Sequence, residues 1–408
     1  MISITREVMT PEIRSASLVD LAGADGYLFA RGTTGLAGRG LAISLNVDEA
    51  AEWLAAVEHR DESATSAQRS QIGPVAIGTC DFLPGSQGEV HVPSVVVVDS
   101  GGGHRTITAT AANEAEAHRL FDRFTPLQPN PPTASNFSVE SAIPVEHYLA
   151  AVTAARNAVR DGQLEKAVIA RPVTVRAASP MDLHSILRRL EATFPTTYRF
   201  SIDGFIGASP ELLVSVNNEI VRSHPLAGTT RTTGNDEEDA KLAAELLASK
   251  KNQIEHKAAI DMVRDSLLPF CSYLDWTPEP SIVKVANVQH LGSLAEGRLS
   301  EPRPSVTELV RVLQPTPAVG GHPRDAALEL IRQYEGFDRG KYGGAVGWVD
   351  AHGNGEWAVS LRCAEFSNDR TSARLIAGGG IVADSEPHAE LAETQAKLQA
   401  MLGAILRP

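Results

Sequence analysis

Residues 377–397 read AGGGIVADSEPHAELAETQAK. Three consecutive glycines open the run, and Pro387 marks the start of a helix expected to reach Leu406. Leu391, Leu398, Leu402 and Ile405 form an apolar stripe at helical spacing. Glu390, Glu393 and Lys397 stand at i, i+3 and i+7, so they share the face beside that stripe. A polar stripe next to a buried one lies at the rim of a core, where a cleft can open. Taken alone, the helix more simply carries a solvated face with a salt bridge.

Working back along the chain, KKNQIEH (250–256) lies in a helical stretch expected from about Asp236 to Leu268. Its lone Glu-His pair is not the HExxH zinc pattern. A carboxylate from here and one from the last helix would make a hard oxygen site of the kind magnesium favours. EKAVIAR (165–171) sets Lys166 at the start of an apolar strand, where an edge lysine guarding against aggregation is the plain alternative. GASPELL (207–213) sets Glu211 after a proline between strand-like segments, where a simple turn suffices. PLAGTT (225–230), PTPAVGG (315–321) and AGGGI (377–381) read as loops of little bulk that let backbone approach a ligand.

Residues 145–159 have helical spacing. Strands are expected over 167–170, 198–202, 212–216, 344–349, 357–361 and 373–377. Strands and helices do not alternate as a doubly wound fold requires, which points to an α+β architecture. The first 125 residues are less regular. Strands are expected over 74–82 and 94–98, and loops at the glycine runs 32–40 and 100–104. PLQPNPPTASN (126–136) has the composition of a linker or a surface connection.

Composition narrows the function classes. The 408 residues are 43% hydrophobic and 21% charged, a globular profile. A formal charge of -13 argues against nucleic acid, which needs a basic face. It leaves room for a small anion bound by a few local cations or one metal ion. Cys80, Cys271 and Cys363 are scattered and odd in number, as expected in a reducing compartment. No secretion signal or membrane span is evident, so a cytoplasmic location is expected.

Eight segments in this order resemble the chorismate-utilising enzyme family. They are EKAVIAR, GASPELL, PLAGTTR, ASKKNQIEH, PTPAVGG, YGGAVGW (342–348), SLRCAEF (360–366) and the run from 377 to 397. The match spans about Tyr148 to Met401. GNGEW (353–357), SLRCA and GFDRGKYGGAVGW (336–348) look most like the isochorismate synthases, while VQHLGS (288–293) resembles salicylate synthases as well. The resemblance implies one large α+β domain over residues 1–408, with big mainly antiparallel β-sheets packed face to face and helices outside. Residues 1–140 would supply strands, and 145–408 would bear the motifs.

It also implies the chemistry: Mg2+-dependent conversion of chorismate to isochorismate, with water added at C2 and the C4 hydroxyl lost. Lys166 would be the general base and Glu211 the general acid. Glu255 and Glu393 would hold Mg2+, with Glu390 close by or bridged through water. Arg362 and Tyr342 would hold the enolpyruvyl carboxylate, with Gly378 and Lys397 completing that end. Ala227, Gly228, Thr229 and Val319 would line the substrate. His256 would either orient the substrate or only pack, and His290 is similarly open. Both catalytic groups would need shifted proton affinities. Bringing a lysine from ~10.4 to ~7 corresponds to roughly 4.6 kcal/mol of differential interaction. The implied protein is a monomer without a glutaminase subunit. Its product would feed siderophore, menaquinone or salicylate synthesis. The rivals are a salicylate synthase that also eliminates pyruvate, an anthranilate or aminodeoxychorismate synthase subunit, and a catalytically dead relative.

Overall fold

The computed structural model describes residues 1–63, 73–86, 88–129, 136–285 and 288–407. Among these, twenty strands form one hydrogen-bonded sheet, and three more form a small second sheet. The pairings are antiparallel apart from that of Ile2–Glu7 with Glu58–Asp61, which is parallel. Strands from both ends of the chain belong to the large sheet, so the irregular first third does supply strands, as expected.

Alternation along single strands explains how the sheet is buried. In Ala345–Asp350, Val346 and Trp348 enter one core while Ala345 and Val349 enter another. Val75–Cys80 divides likewise, with Val75 and Ile77 on one side and Ala76 and Cys80 on the other. The core holding Val346 and Trp348 has almost no helix residues; it is built from strands such as Tyr198–Ile202 and Tyr27–Arg31. The sheet therefore packs on itself face to face. The other two cores are backed by helices, including Val145–Arg160 and Pro387–Leu406. The α+β expectation with outer helices holds.

Four local expectations are corrected. The run at 32–40 is not a loop: only Gly32 and Thr33 turn the chain, and Thr34–Asn46 is a strand. The glycine at 35 is required there because a Cβ would meet the Phe29 carbonyl at 2.2 Å. PLAGTT and AGGGI are also strands, within Leu226–Arg231 and Ser372–Ile381. Small residues mark close approach of other groups to a strand as readily as they mark a loop. The stretch 236–268 is two helices, Asp236–Ala248 and Lys250–Leu267, divided at Ser249. Ser249 has extended backbone and its side chain caps Asn252 N–H, starting the second helix. Of the segment 126–136, residues 130–135 lie outside the described residues.

Candidate active site

Lys166 opens the strand Lys166–Ala177, which pairs antiparallel with Ser372–Ile381 along ten positions. Lys166 and Val168 point to one face, toward a cavity of about 270 Å³. The Lys166 side chain is buried, and its Nζ donates to Glu255 Oε1 at 2.5 Å. The facing strand makes room for this amine: a Cβ on Gly380 would lie 2.5 Å from Lys166 Cε.

Glu211 enters the same cavity from another side. It follows Pro210 in the short break between the strands Phe205–Ser209 and Leu212–Asn217. Its carboxyl is 2% exposed, and Oε1 has no hydrogen-bond partner among the described residues. Burial raises its pKa to about 8, opposed by the Leu226 backbone N–H and by the Lys166 charge. An acid with that value is mostly protonated at neutral pH and able to donate.

The last helix brings three carboxylate and amine groups to the cavity rim. Glu390 is buried and its Oε1 accepts from Ser385 Oγ at 2.7 Å. Glu393 pairs with Lys397 at 2.7 Å, and Lys397 Nζ also donates to Gly378 O at 2.8 Å. The salt bridge and the cleft are thus both present on one helix face. A Cβ on Gly379 would meet Glu390 Oε2 at 2.7 Å. The glycine run is therefore a cradle into which Lys166, Glu255 and Glu390 pack.

Arg362 brings a cation to another part of the cavity, which Tyr342 also lines. Arg362 adopts φ 50°, a left-handed conformation unusual for a side-chain-bearing residue. Burial lowers its pKa, with Tyr342 and Glu393 opposing that shift. Burial likewise raises the Tyr342 phenol, and the Gly378 backbone N–H opposes it by bonding to the phenol oxygen. On the remaining side, the Leu226–Arg231 strand bulges between Ala227 and Thr229, where Gly228 has φ 71°. Ala227, Gly228, Thr229 and Val319 all line the cavity.

Every residue named in advance lines this cavity except His256. Its Nε2 is hydrogen-bonded to Ser293 Oγ at 2.9 Å, and the ring is 2% exposed. One residue along a helix is about 100° around it, so the neighbour of a cavity-facing Glu255 faces into the protein. Burial lowers the His256 pKa to about 4. Of its two possible roles, packing is the one the structure supports.

Among the polar lining residues, Asn252 is not one of those expected, and His290 has no role assigned from the sequence. Asn252 lies three positions before Glu255 on the same helix, a spacing that could have revealed it. His290 reaches the cavity only through the small sheet, where it pairs across from Thr229. Its Nδ1 lies 3.2 Å from Gly228 O and 3.0 Å from Thr229 Oγ1, while Nε2 has no partner among the described residues. Burial and the nearby Arg362 and Lys397 charges lower its pKa to about 3, so the ring is neutral.

The carboxylates suit a divalent cation in kind, since all are hard oxygen donors in one cleft. As they stand, Glu255 and Glu393 are each held by a lysine. Among the described residues no three His, Cys, Asp or Glu side chains form a ready metal cluster.

Comparison with known proteins converges on one family. The family model described as chorismate binding enzyme matches residues 30–406. The isochorismate synthase DhbC of Bacillus subtilis (strain 168) is 42% identical over 258 residues, 60% of this chain and 64% of that one. The isochorismate synthase MenF of the same organism is 32% identical over 360 residues, 83% of this chain and 76% of that one. Among solved structures, MenF, the menaquinone-specific isochorismate synthase from Escherichia coli, superposes with a TM-score of 0.85 at 24% identity. That superposition covers 99% of this chain and 94% of the other, and it concerns the fold.

Proposed function

The chain belongs to the chorismate-binding enzyme family, as an isochorismate synthase, and on that premise we propose how its residues act and what they hold. Chorismate takes up water at C2 and loses the C4 hydroxyl. Lys166, as the free amine, accepts the proton of the attacking water. Glu211, as the neutral acid, protonates the departing hydroxyl so that it leaves as water. Protons balance: Lys166 ends as the ammonium and Glu211 as the carboxylate, and exchange with solvent resets both.

The observation carrying this reading is that Lys166 and Glu211 open onto one cavity with Glu255, Glu390 and Glu393. A formal charge count supports Mg2+. With Lys166 as the free amine and Glu211 protonated near neutrality, Arg362 and Lys397 leave one excess negative charge among Glu255, Glu390 and Glu393. Chorismate adds two carboxylates, and one divalent cation would cut the resulting excess from three negative charges to one. Mg2+, when bound, supplies positive charge for the ring carboxylate. Glu255 and Glu393 would hold it, with Glu390 beside them. Drawn toward the cation, the Glu255 carboxylate would hold Lys166 Nζ less firmly and leave it available to the water. Arg362, as a planar donor fork, suits the enolpyruvyl carboxylate, and Tyr342, Lys397 and the Gly378 backbone complete that end. Ala227, Gly228, Thr229 and Val319 wall the ring.

The reading includes a cytoplasmic monomer working without a glutaminase subunit. No described helix is long and apolar enough to cross a membrane. Incubation of the purified protein with chorismate and Mg2+, followed by chromatography, tests the reading. Isochorismate alone is expected. Salicylate with pyruvate would replace it by a salicylate synthase, and products requiring glutamine or ammonium by an aminating enzyme. Light scattering of the purified protein checks the monomer.

A further inference from the structure

Behind the Lys166 strand lies an ion pair that no step above uses. Glu335 and Arg339 are 1% and 3% exposed. Arg339 Nε donates to Glu335 Oε2 at 2.8 Å, and Nη2 also bonds Glu335 Oε1. The same guanidinium reaches two backbone carbonyls, Val319 O through Nη1 and Val168 O through Nη2, each at 2.7 Å. Glu335 Oε1 in turn accepts the Ala170 N–H at 2.7 Å. The Phe82 ring covers the guanidinium, 4.2 Å from its centroid.

These contacts continue a ladder that the chain itself leaves short. Beside the start of the Lys166 strand, only Gly321 and His322 pair as a strand, opposite Ala167 and Lys166. Val168 N–H still finds Gly320 O at 2.9 Å. Among the described residues, no strand pairs with this edge between that point and Val173, where Phe137–Ser141 takes it up, and the ion pair fills the gap by binding Val168 O and Ala170 N–H. A buried ion pair roughly breaks even for stability against apolar residues. What it adds here is geometry: one planar fork ties the strand bearing Lys166 to the loop bearing Val319.

We propose that Glu335 and Arg339 are positioning residues that hold Lys166 and the Val319 wall in register across the cavity. The inference rests on the reading of Lys166 as the base.

Arg339→Lys keeps the charge but cannot span both carbonyls and the carboxylate. Its kcat should fall roughly 10- to 100-fold, the cost of a misplaced base. The KM for chorismate should stay within about threefold, because Arg362 and Lys397 are untouched. A folded variant with kcat within about twofold of the parent overturns the proposal, as does a loss confined to KM. Should Arg339→Lys not fold, Glu335→Gln carries the same test. Lys166→Ala is measured in parallel. If it retains parental turnover, the base assignment fails whatever Arg339→Lys does. If it is inactive while Arg339→Lys is unaffected, the positioning proposal alone fails.

Discussion

Lys166 Nζ and Glu255 Oε1 lie 2.5 Å apart, with side chains only 7% and 15% exposed. The proposed base and a proposed metal ligand are thus partners of one another. Removing one member of a buried pair leaves the other as an uncompensated charge.

Lys166→Met should therefore bind Mg2+ more tightly while losing turnover. Without the competing ammonium, affinity rises by roughly tenfold, or about 1.4 kcal/mol. Isothermal titration without chorismate measures it. An unchanged or weaker affinity would show that amine and cation do not compete for Glu255.

Glu211 sets a limb of the pH profile. Its raised pKa of about 8 means that the proton-donating form disappears above that pH, so kcat/KM should fall on the alkaline side. Glu211→Gln should remove this limb and slow turnover by ~10²- to 10⁴-fold. Stability carries the same signature. The folded state keeps a proton that the unfolded state releases above its ordinary value of 4.5. This group's contribution is complete below that value and is lost as pH rises toward 8, at about 1.4 kcal/mol per pH unit. The melting temperature of Glu211→Gln should gain on the parent between pH 5 and pH 8, about the window of the shift. A constant difference across that range would contradict the buried-acid reading.

Gly380→Ala is a steric test of the base. The new Cβ would press on Lys166 Cε at 2.5 Å and on Nζ at 3.1 Å, while the strand backbone accepts alanine. The lysine end is flexible, so the fold should survive with the amine displaced. A loss of roughly 100-fold in kcat is expected from displacement on the ångström scale. Parental kcat with a folded protein would mean that Nζ need not occupy its present place.

His290 offers an acceptor to the ligand. Its Nδ1 is engaged by Gly228 O and Thr229 Oγ1, which leaves the Nε2 lone pair for a substrate hydroxyl. His290→Phe should lower kcat/KM by roughly 10- to 100-fold, from about 1–3 kcal/mol for a lost hydrogen bond in a buried site. The pH limbs should not move, since the ring is neutral throughout with a pKa of about 3. A lost limb in this variant would assign the histidine a titrating role instead.

Much of the site was legible before any coordinates because its spacing is local. Glu390, Glu393 and Lys397 share a helix face by periodicity alone, and Lys166 and Val168 share a strand face. Ordered motifs joined these pieces into one family, although nothing in the spacing itself requires distant helices to meet. The low-bulk segments at 225–230 and 377–381 misled because low bulk looks alike in a loop and in a crowded strand. His256 stands outside the cavity because a helix turns about 100° per residue, which aims neighbours at different surroundings.

Local pattern settled the α+β class and the charge character, and the ordered motifs, through the family they resemble, pointed to the residues for acid–base work. The tertiary structure decided what stands opposite what: His290 across from Thr229, Lys166 against Glu255, and Glu211 sealed from water. Those relations depend on strand pairing and helix packing between residues far apart in the chain. Proton affinity follows them, because burial and neighbouring charge are properties of the assembled cavity.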